Sequence, residues 1–339
     1  MKTSLFLKHL QDYFETYLPK IRGSSPNTIA SYQDTFRLFF EYLEASRKVK
    51  PWLVNYKHCT DTVILGFLHW LETERHCGIA TRNQRQAALL SFFKYASRKS
   101  TEALGVCVTL SELPVKKAPN NTIAYFTLEE MQALLNAPNI QKPVEYRDMV
   151  LLSLLYDSGA RAQELCDLSV RDLRAGTPAL VCLRGKGKKE RMVPITENSA
   201  KLIRQYMKSK NLSAARNPGT PLFTSLSGQK MTTACIRGIV EKYVARARKT
   251  RPDLFRSESY SPHSLRHSKA VHMLEAGVDL IYIRDFLGHA SVQTTEVYAT
   301  VSQALLNKTL LRRSVPAISA MKTVPPESNL PYPDFLRRR

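Results

Sequence analysis

Four short clusters along the 339-residue chain hold residue types that do chemistry. They are Ser158-Gly-Ala-Arg161-Ala-Gln-Glu164-Leu, Arg184-Gly-Lys186-Gly-Lys188-Lys189-Glu-Arg191, Pro262-His263-Ser-Leu-Arg266-His267, and Leu287-Gly-His289 followed by Tyr298. Each taken alone is bland. Arg161 reads as a surface arginine paired with Glu164. The basic run from Arg184 to Arg191 is either a solvated turn or a set of phosphate contacts. His263 and Arg266 share one face of a helix. His267 and His272 show no task beyond packing or facing solvent, and Tyr298 is one of 15 tyrosines.

Together the residue types are those of transesterification at a phosphodiester. Two arginine forks can neutralise the non-bridging oxygens of a phosphorane-like transition state. A lysine or histidine can protonate the leaving oxygen. A tyrosine can attack phosphorus and hold a covalent intermediate. Neither metal nor cofactor is implied: no carboxylate cluster has ligand spacing, and His-Glu-x-x-His and Walker-type glycine loops are missing from the sequence.

The charge balance names the partner class. Lys and Arg total 50 against 29 Asp and Glu, a formal net charge of +21. Such a surplus calls for a polyanion, with nucleic acid ahead of an anionic membrane surface. No stretch reaches the ~18 apolar residues of a membrane span. The apolar run at the N-terminus is broken by Lys8, so no signal peptide is expected. Six scattered cysteines without a Cys-x-x-Cys pair suggest reduced thiols in a cytoplasmic protein.

The elements that must position the clusters fall into two groups. Apolar residues at helical spacing predict four helices within residues 1–112, a compact bundle. The first is marked by Leu5, Leu7, Leu10, Tyr13, Phe14 and Leu18. The others begin near Ser25-Pro26 and cover about 61–75 and 80–98. On the last of these, Arg82, Arg85, Lys94 and Arg98 are candidate phosphate contacts, against the plain alternative of a solvated basic face. Residues 113–124 read as a linker, and Thr127-Leu-Glu-Glu130 opens the next helix as a capping box.

Residues 125–311 predict an α-rich domain with a small antiparallel sheet, whose hairpin strands cover about 179–183 and 191–195. Helices are expected at about 127–136, 143–157, 161–168, 197–210, 231–248, 264–276, 278–287 and 301–311. A tail at 312–339 holds five prolines and ends in three arginines. Residues 113–339 carry 35 basic and 19 acidic side chains, so most of the positive surplus lies here.

The order Arg161, Lys186, His263-x-x-Arg266, His289, Tyr298 resembles the tyrosine recombinase (phage integrase) family, and so do the residues around it. These are Gly-Ala-Arg-x-x-Glu-Leu, Gly-Lys-Gly-x-Lys-Glu-Arg-x-Val-Pro, His-x-Leu-Arg-His and Leu-Gly-His-x-Ser-x-x-Thr-Thr-x-x-Tyr. The resemblance covers residues 125–311, and the helical first domain is similar to that family's core-binding domain. It implies that Tyr298 attacks the scissile phosphate of duplex DNA, forming a 3′-phosphotyrosyl link and freeing a 5′-hydroxyl. Arg161 and Arg266 would clamp the phosphate. Lys186 would protonate the 5′-oxygen, His263 would assist proton transfer at the nucleophile, and His289 would bond the phosphate. Glu164 would brace Arg161 from behind, since a carboxylate at the phosphate would repel it.

Arg184, Lys188, Lys189 and Arg191 are further candidate DNA contacts. The resemblance also implies two domains clamping the duplex and four protomers on two DNA sites. A partner recombinase or accessory protein has room to act, and residues 301–311 are the candidate helix for docking on a neighbouring protomer. Lys269, where many members carry an aromatic or apolar residue, points from a Xer-type dimer-resolving enzyme towards a mobile-element recombinase. Two rivals remain open: a DNA-binding protein that keeps the fold without the chemistry, and a type IB topoisomerase.

Overall fold

A computed structural model describes residues 3–117, 123–174, 176–185, 189–255, 257–289, 291 and 295–298. The chain divides into two compact units, Met1–Asn121 and Thr122–Arg339.

The first unit is helical. Helix α1 (Leu5–Asp12) is capped by the Ser4 hydroxyl, which accepts from the Leu7 amide at 3.2 Å, and widens into a π-helical stretch, Tyr13–Ile21. Helix α2 (Pro26–Arg47) starts on Ser25 with proline in its first turn, where the missing amide hydrogen costs nothing. Helices α3 (Asp61–Thr73) and α4 (Ile79–Ala96) follow. A fifth helix that the periodicity had not marked, α5 (Glu102–Glu112), closes the unit.

The core of this unit is aromatic. Phe92 meets Phe6, Tyr13 and Phe36 edge-on, at ring separations of 5.1–5.4 Å. Phe6 and Leu10 are the buried residues of α1, whereas Leu5 is 49% exposed. Leu10, Tyr13 and Leu18 of the expected stripe are buried, and Phe6 takes the place of Leu5 at its start.

The second unit is built around α7 (Pro143–Ser158), whose Leu151, Leu152, Leu154 and Leu155 are completely buried. Helix α6 (Leu128–Asn136) opens on the expected capping box: the Thr127 hydroxyl accepts from the Glu130 amide, and the Glu130 carboxylate accepts from the Thr127 amide. After the short α8 (Ala162–Cys166) comes a three-stranded antiparallel sheet in the order β1 (Leu173–Arg174), β2 (Ala179–Arg184), β3 (Glu190–Ile195). Strands β2 and β3 are the expected hairpin, in register from Ala179–Ile195 to Arg184–Glu190. The two-residue β1 carried too little pattern to be expected.

Helices α9 (Glu197–Ser209), α10 (Thr233–Thr250), α11 (Pro262–Glu275) and α12 (Leu280–Leu287) complete the unit. A last helical turn at 295–298 brings Tyr298 onto a small apolar cluster of Ala270, Val271, Ile283 and Leu287. Among the described residues no helix is long and apolar enough to cross a membrane, and all six cysteines are free thiols.

Candidate active site

The site is assembled where three helix ends meet: the C-terminus of α7, the first turns of α11 and the C-terminus of α12. Arg266 joins them. Its Nη1 donates to the Gly159 carbonyl and its Nη2 to the Leu287 carbonyl, both at 2.6 Å. These carbonyls lie at helix C-termini, where the backbone dipole favours a cation. Two charge-assisted bonds therefore compensate a guanidinium only 3% exposed. Burial, with Arg161 and Arg191 nearby, presses its pKa down to about 9, leaving it cationic at neutral pH.

The close approach explains two motif glycines. Gly159 (φ +57°) and Gly288 (φ +65°) end α7 and α12 in the left-handed conformation. A Cβ on Gly159 would lie 2.9 Å from Leu287 Cδ2, and one on Gly288 would lie 3.0 Å from Arg191 Cδ.

Arg161 stands just before α8 with its guanidinium partly exposed. Its Nη1 donates to Glu164 Oε1 at 2.9 Å, and its amide donates to Glu164 Oε2 at 2.8 Å. Glu164 is 4% exposed and also receives Arg191. Burial would raise its pKa, but hydrogen bonds from Arg191 and the Arg161 amide outweigh that and hold it below the usual carboxylate value.

Tyr298 is 2% exposed. Its hydroxyl lies 2.9 Å from His267 Nδ1, and its ring stacks on His289 at 6.4 Å and 16°. Burial raises the phenol's pKa, with Arg266 and Arg161 pulling the other way. His289 Nδ1 is bonded to the Thr295 hydroxyl at 2.9 Å. Burial, then Arg266 and Arg161, push the His289 pKa down to about 4. His263, exposed on the first turn of α11, stacks its ring on His267 at 6.2 Å. Its pKa is lowered by burial and by Arg266, Arg161 and Arg237.

The structure thus brings Arg161, His263, Arg266, His289 and Tyr298 into one neighbourhood. Lys186 and Lys188 lie outside the described residues, as do 301–311 and the 312–339 tail. Lys189, beside the hairpin turn, is exposed.

Four of the candidate DNA contacts, Arg82, Arg85, Arg184 and Arg191, are engaged by acidic side chains within the protein. Arg191 grips Glu164 and donates from Nε to the Phe286 carbonyl at 3.1 Å. Arg184 bridges Asp172 at 2.7 Å and Glu190 at 2.9 Å. Arg82 is 4% exposed, bonded to Gln86 and 3.5 Å from Glu72, and Arg85 binds Asp34, the Ser31 carbonyl and the Thr35 hydroxyl. Acidic partners from six to 51 residues away in sequence claim these cations. Lys94 on α4 and Arg98 in the turn that follows it remain exposed.

Two residues without an assigned task acquire one. His267 contacts the candidate nucleophile, and its place one turn beyond His263 was the available signal. Lys269 lies 3.1 Å from Asp157, with the Tyr156 and Phe286 rings 5.4 and 5.7 Å away. Asp157 in turn accepts from the Thr196 amide and hydroxyl at the start of α9. The departure at Lys269 is therefore a packed ion pair. Among the described residues no group of three His, Cys, Asp or Glu side chains could hold a metal ion.

Helix ends gathering arginines, imidazoles and a tyrosine, beside a small antiparallel sheet, define a phosphoryl-transfer protein of the tyrosine type. The profile of the phage integrase family matches residues 124–304, and that of the phage integrase N-terminal SAM-like domain matches 11–100. The chain belongs to the phage integrase family, the tyrosine-type site-specific recombinases.

Among its relatives is the putative integrase/recombinase y4rC of Sinorhizobium fredii, 30% identical over 95% of both chains. Tyrosine recombinase XerC of Myxococcus xanthus is 32% identical over 87% of this chain and 94% of its own. In fold it is similar to the XerH recombinase in a post-cleavage complex with palindromic difH. The TM-score is 0.67 at 24% identity, covering 91% of this chain and 88% of that one.

Proposed function

We propose that this chain cleaves and rejoins duplex DNA through Tyr298, forming a 3′-phosphotyrosyl link and releasing a 5′-hydroxyl. The observation that carries the reading is the setting of Tyr298. Its hydroxyl is 2.9 Å from one imidazole, its ring stacks on another, and both Arg161 and Arg266 act on its ionisation. Arg161 and Arg266 take the non-bridging oxygens of the phosphate as charge builds there. His289 bonds the phosphate, and His263, at the exposed edge, assists proton transfer near the nucleophile. Lys186, between β2 and β3 in the sequence, protonates the 5′-oxygen. Glu164 braces Arg161 from below.

The phosphotyrosine conserves the energy of the broken bond, so the partner strand's 5′-hydroxyl reverses the step without ATP. Four protomers on two DNA sites complete the exchange. Lys94, Arg98 and Lys189 are the described cations we assign to phosphates. The XerH structure is a complex with its difH substrate, which supports duplex DNA as the partner here. The setting is cytoplasmic, and the service is to a mobile element. Xer-type dimer resolution is the second reading, favoured by the match to XerC.

The test is covalent capture. A nicked suicide duplex carrying the site that the protein selects from a random library should yield an SDS-stable adduct without added metal. Tyr298→Phe should bind the same duplex and form none. Tight binding without an adduct from the native protein would instead mark a binding protein that retains the fold.

A further inference from the structure

The proton that Tyr298 must lose has a nearer receiver than the residue the family pattern names. His263 is exposed on the first turn of α11, and its described ring contact is with His267. His267, one turn deeper, places Nδ1 2.9 Å from the Tyr298 oxygen, with ring centroids 5.6 Å apart. No other hydrogen bond to that hydroxyl occurs among the described residues. A phenol with one proton and one neighbouring ring nitrogen arranges itself with the hydroxyl donating to Nδ1.

We propose that His267 is the general base of strand cleavage, taking the Tyr298 proton on Nδ1 as the phenolic oxygen attacks phosphorus. The proposal rests on the phosphotyrosyl reading above. The Tyr298 O–P bond forms and the P–O5′ bond breaks. The phenolic proton passes to His267, and the 5′-oxygen is protonated by the acid assigned to Lys186. In the joining step the attacking 5′-hydroxyl returns its proton to the Lys186 amine, the O5′–P bond forms as the Tyr298 O–P bond breaks, and the departing tyrosine recovers its own proton from His267.

The neighbourhood keeps this imidazole free to accept. His263 and Arg266 face it from its own helix, and Tyr298 and His289 from the segment after α12. Burial, then His263 and Arg266, push its pKa down to about 4, so it is neutral at pH 7. The buried phenol, raised in pKa, keeps its proton until attack. The stacked pair His263–His267 also gives the proton an onward path from the buried oxygen to the exposed edge of the site.

The experiment is single-turnover cleavage of the suicide duplex by the full chain, native and with His267→Phe or His267→Asn. Phenylalanine keeps the ring's bulk, and asparagine keeps an acceptor near Nδ1 but cannot take a proton. Both variants should melt and bind DNA like the native protein and cleave about a hundredfold more slowly or worse. Their rates should climb about tenfold per pH unit through the alkaline range as phenolate replaces phenol. The defect should persist on a 5′-bridging phosphorothiolate, whose sulfur leaves without an acid.

Native-like rates in both variants would overturn the proposal. So would full rescue by asparagine, which would make His267 a positioning residue, or rescue by the phosphorothiolate, which would move it to the leaving-group side. If the native protein itself forms no adduct, the phosphotyrosyl reading fails, and that failure is distinct from one confined to the His267 variants.

Discussion

Arg191 holds Glu164 at two points, Nη1 to Oε1 and Nη2 to Oε2, both at 2.8 Å. The pair ties β3 to the helix start that carries Arg161. Arg191 also reaches the Phe286 carbonyl and lies against Gly288, beside His289. One guanidinium thereby links the hairpin, the Arg161 turn and the His289 turn.

Breaking that link should cost stability as well as rate. With Glu164 4% exposed, Arg191→Met leaves a buried carboxylate with Arg161 alone, and Glu164→Gln leaves two guanidiniums facing an amide. Removing one partner of such a pair typically costs about 3–5 kcal/mol. Each variant should unfold at lower denaturant, and the double variant should lose clearly less than the sum of the singles. Additive losses would show that the two side chains do not act as a unit.

The two glycine turns separate backbone strain from crowding. Gly159→Ala meets both a left-handed φ and a Leu287 carbon at 2.9 Å, whereas Gly277→Ala meets φ +87° in open space. Both should destabilise, Gly159→Ala by about 1–3 kcal/mol more than Gly277→Ala through displacement of α12. Because α12 leads to His289, Gly159→Ala should also slow adduct formation. Equal losses in urea unfolding would count against the packing of α12 described above.

The histidines predict a pH dependence. His267 and His289 titrate near 4 in the folded chain against 6.5 when unperturbed. A base with a lowered folded pKa contributes stability that is complete above the unfolded value and is lost as pH falls towards the folded one. The melting temperature should therefore drop by several degrees between about pH 7 and pH 5. His267→Asn should flatten part of that slope. An unchanged slope in that variant would rule out His267 as a contributor.

Helices and hairpin were legible because amphipathic spacing, the Thr127–Glu130 box and the turn between β2 and β3 are local signals. Helix α5 was missed because its apolar residues are interrupted: Leu104 and Val108 face outward while Ala103, Val106 and Leu110 are buried. Five of the six candidate catalytic residues named from sequence lie together in the structure; the pairing of Arg161 with Glu164 three residues on was legible, but the longer-range partners were not. No local pattern announces that Arg191 will meet Glu164 across 27 residues, or that Arg266 will bridge two helix ends. His267 was passed over because a second histidine on a helix more often packs than reacts. The basic residues were the least legible, since charge counts report the number of cations and not which of them have carboxylates.

That distinction carries the remaining prediction. Arg82 on α4 and Arg98 in the turn just after it look alike in sequence, but Arg82 is 4% exposed beside Glu72 and Gln86, while Arg98 is solvent-facing. Lys94→Ala and Arg98→Ala should leave the melting temperature within a degree or two of native, because exposed cations contribute little to folding. If both touch phosphates, each should weaken DNA binding across all sequences and lower the slope of log affinity against log salt by about 1, since each phosphate neutralised releases about one counterion. Arg82→Ala should do the reverse. It removes a buried partner of Glu72, lowers the melting temperature and leaves the salt slope of the surviving folded protein unchanged. A salt slope that responds to Arg82 and not to Arg98 would mean that α4 turns its other face to the duplex.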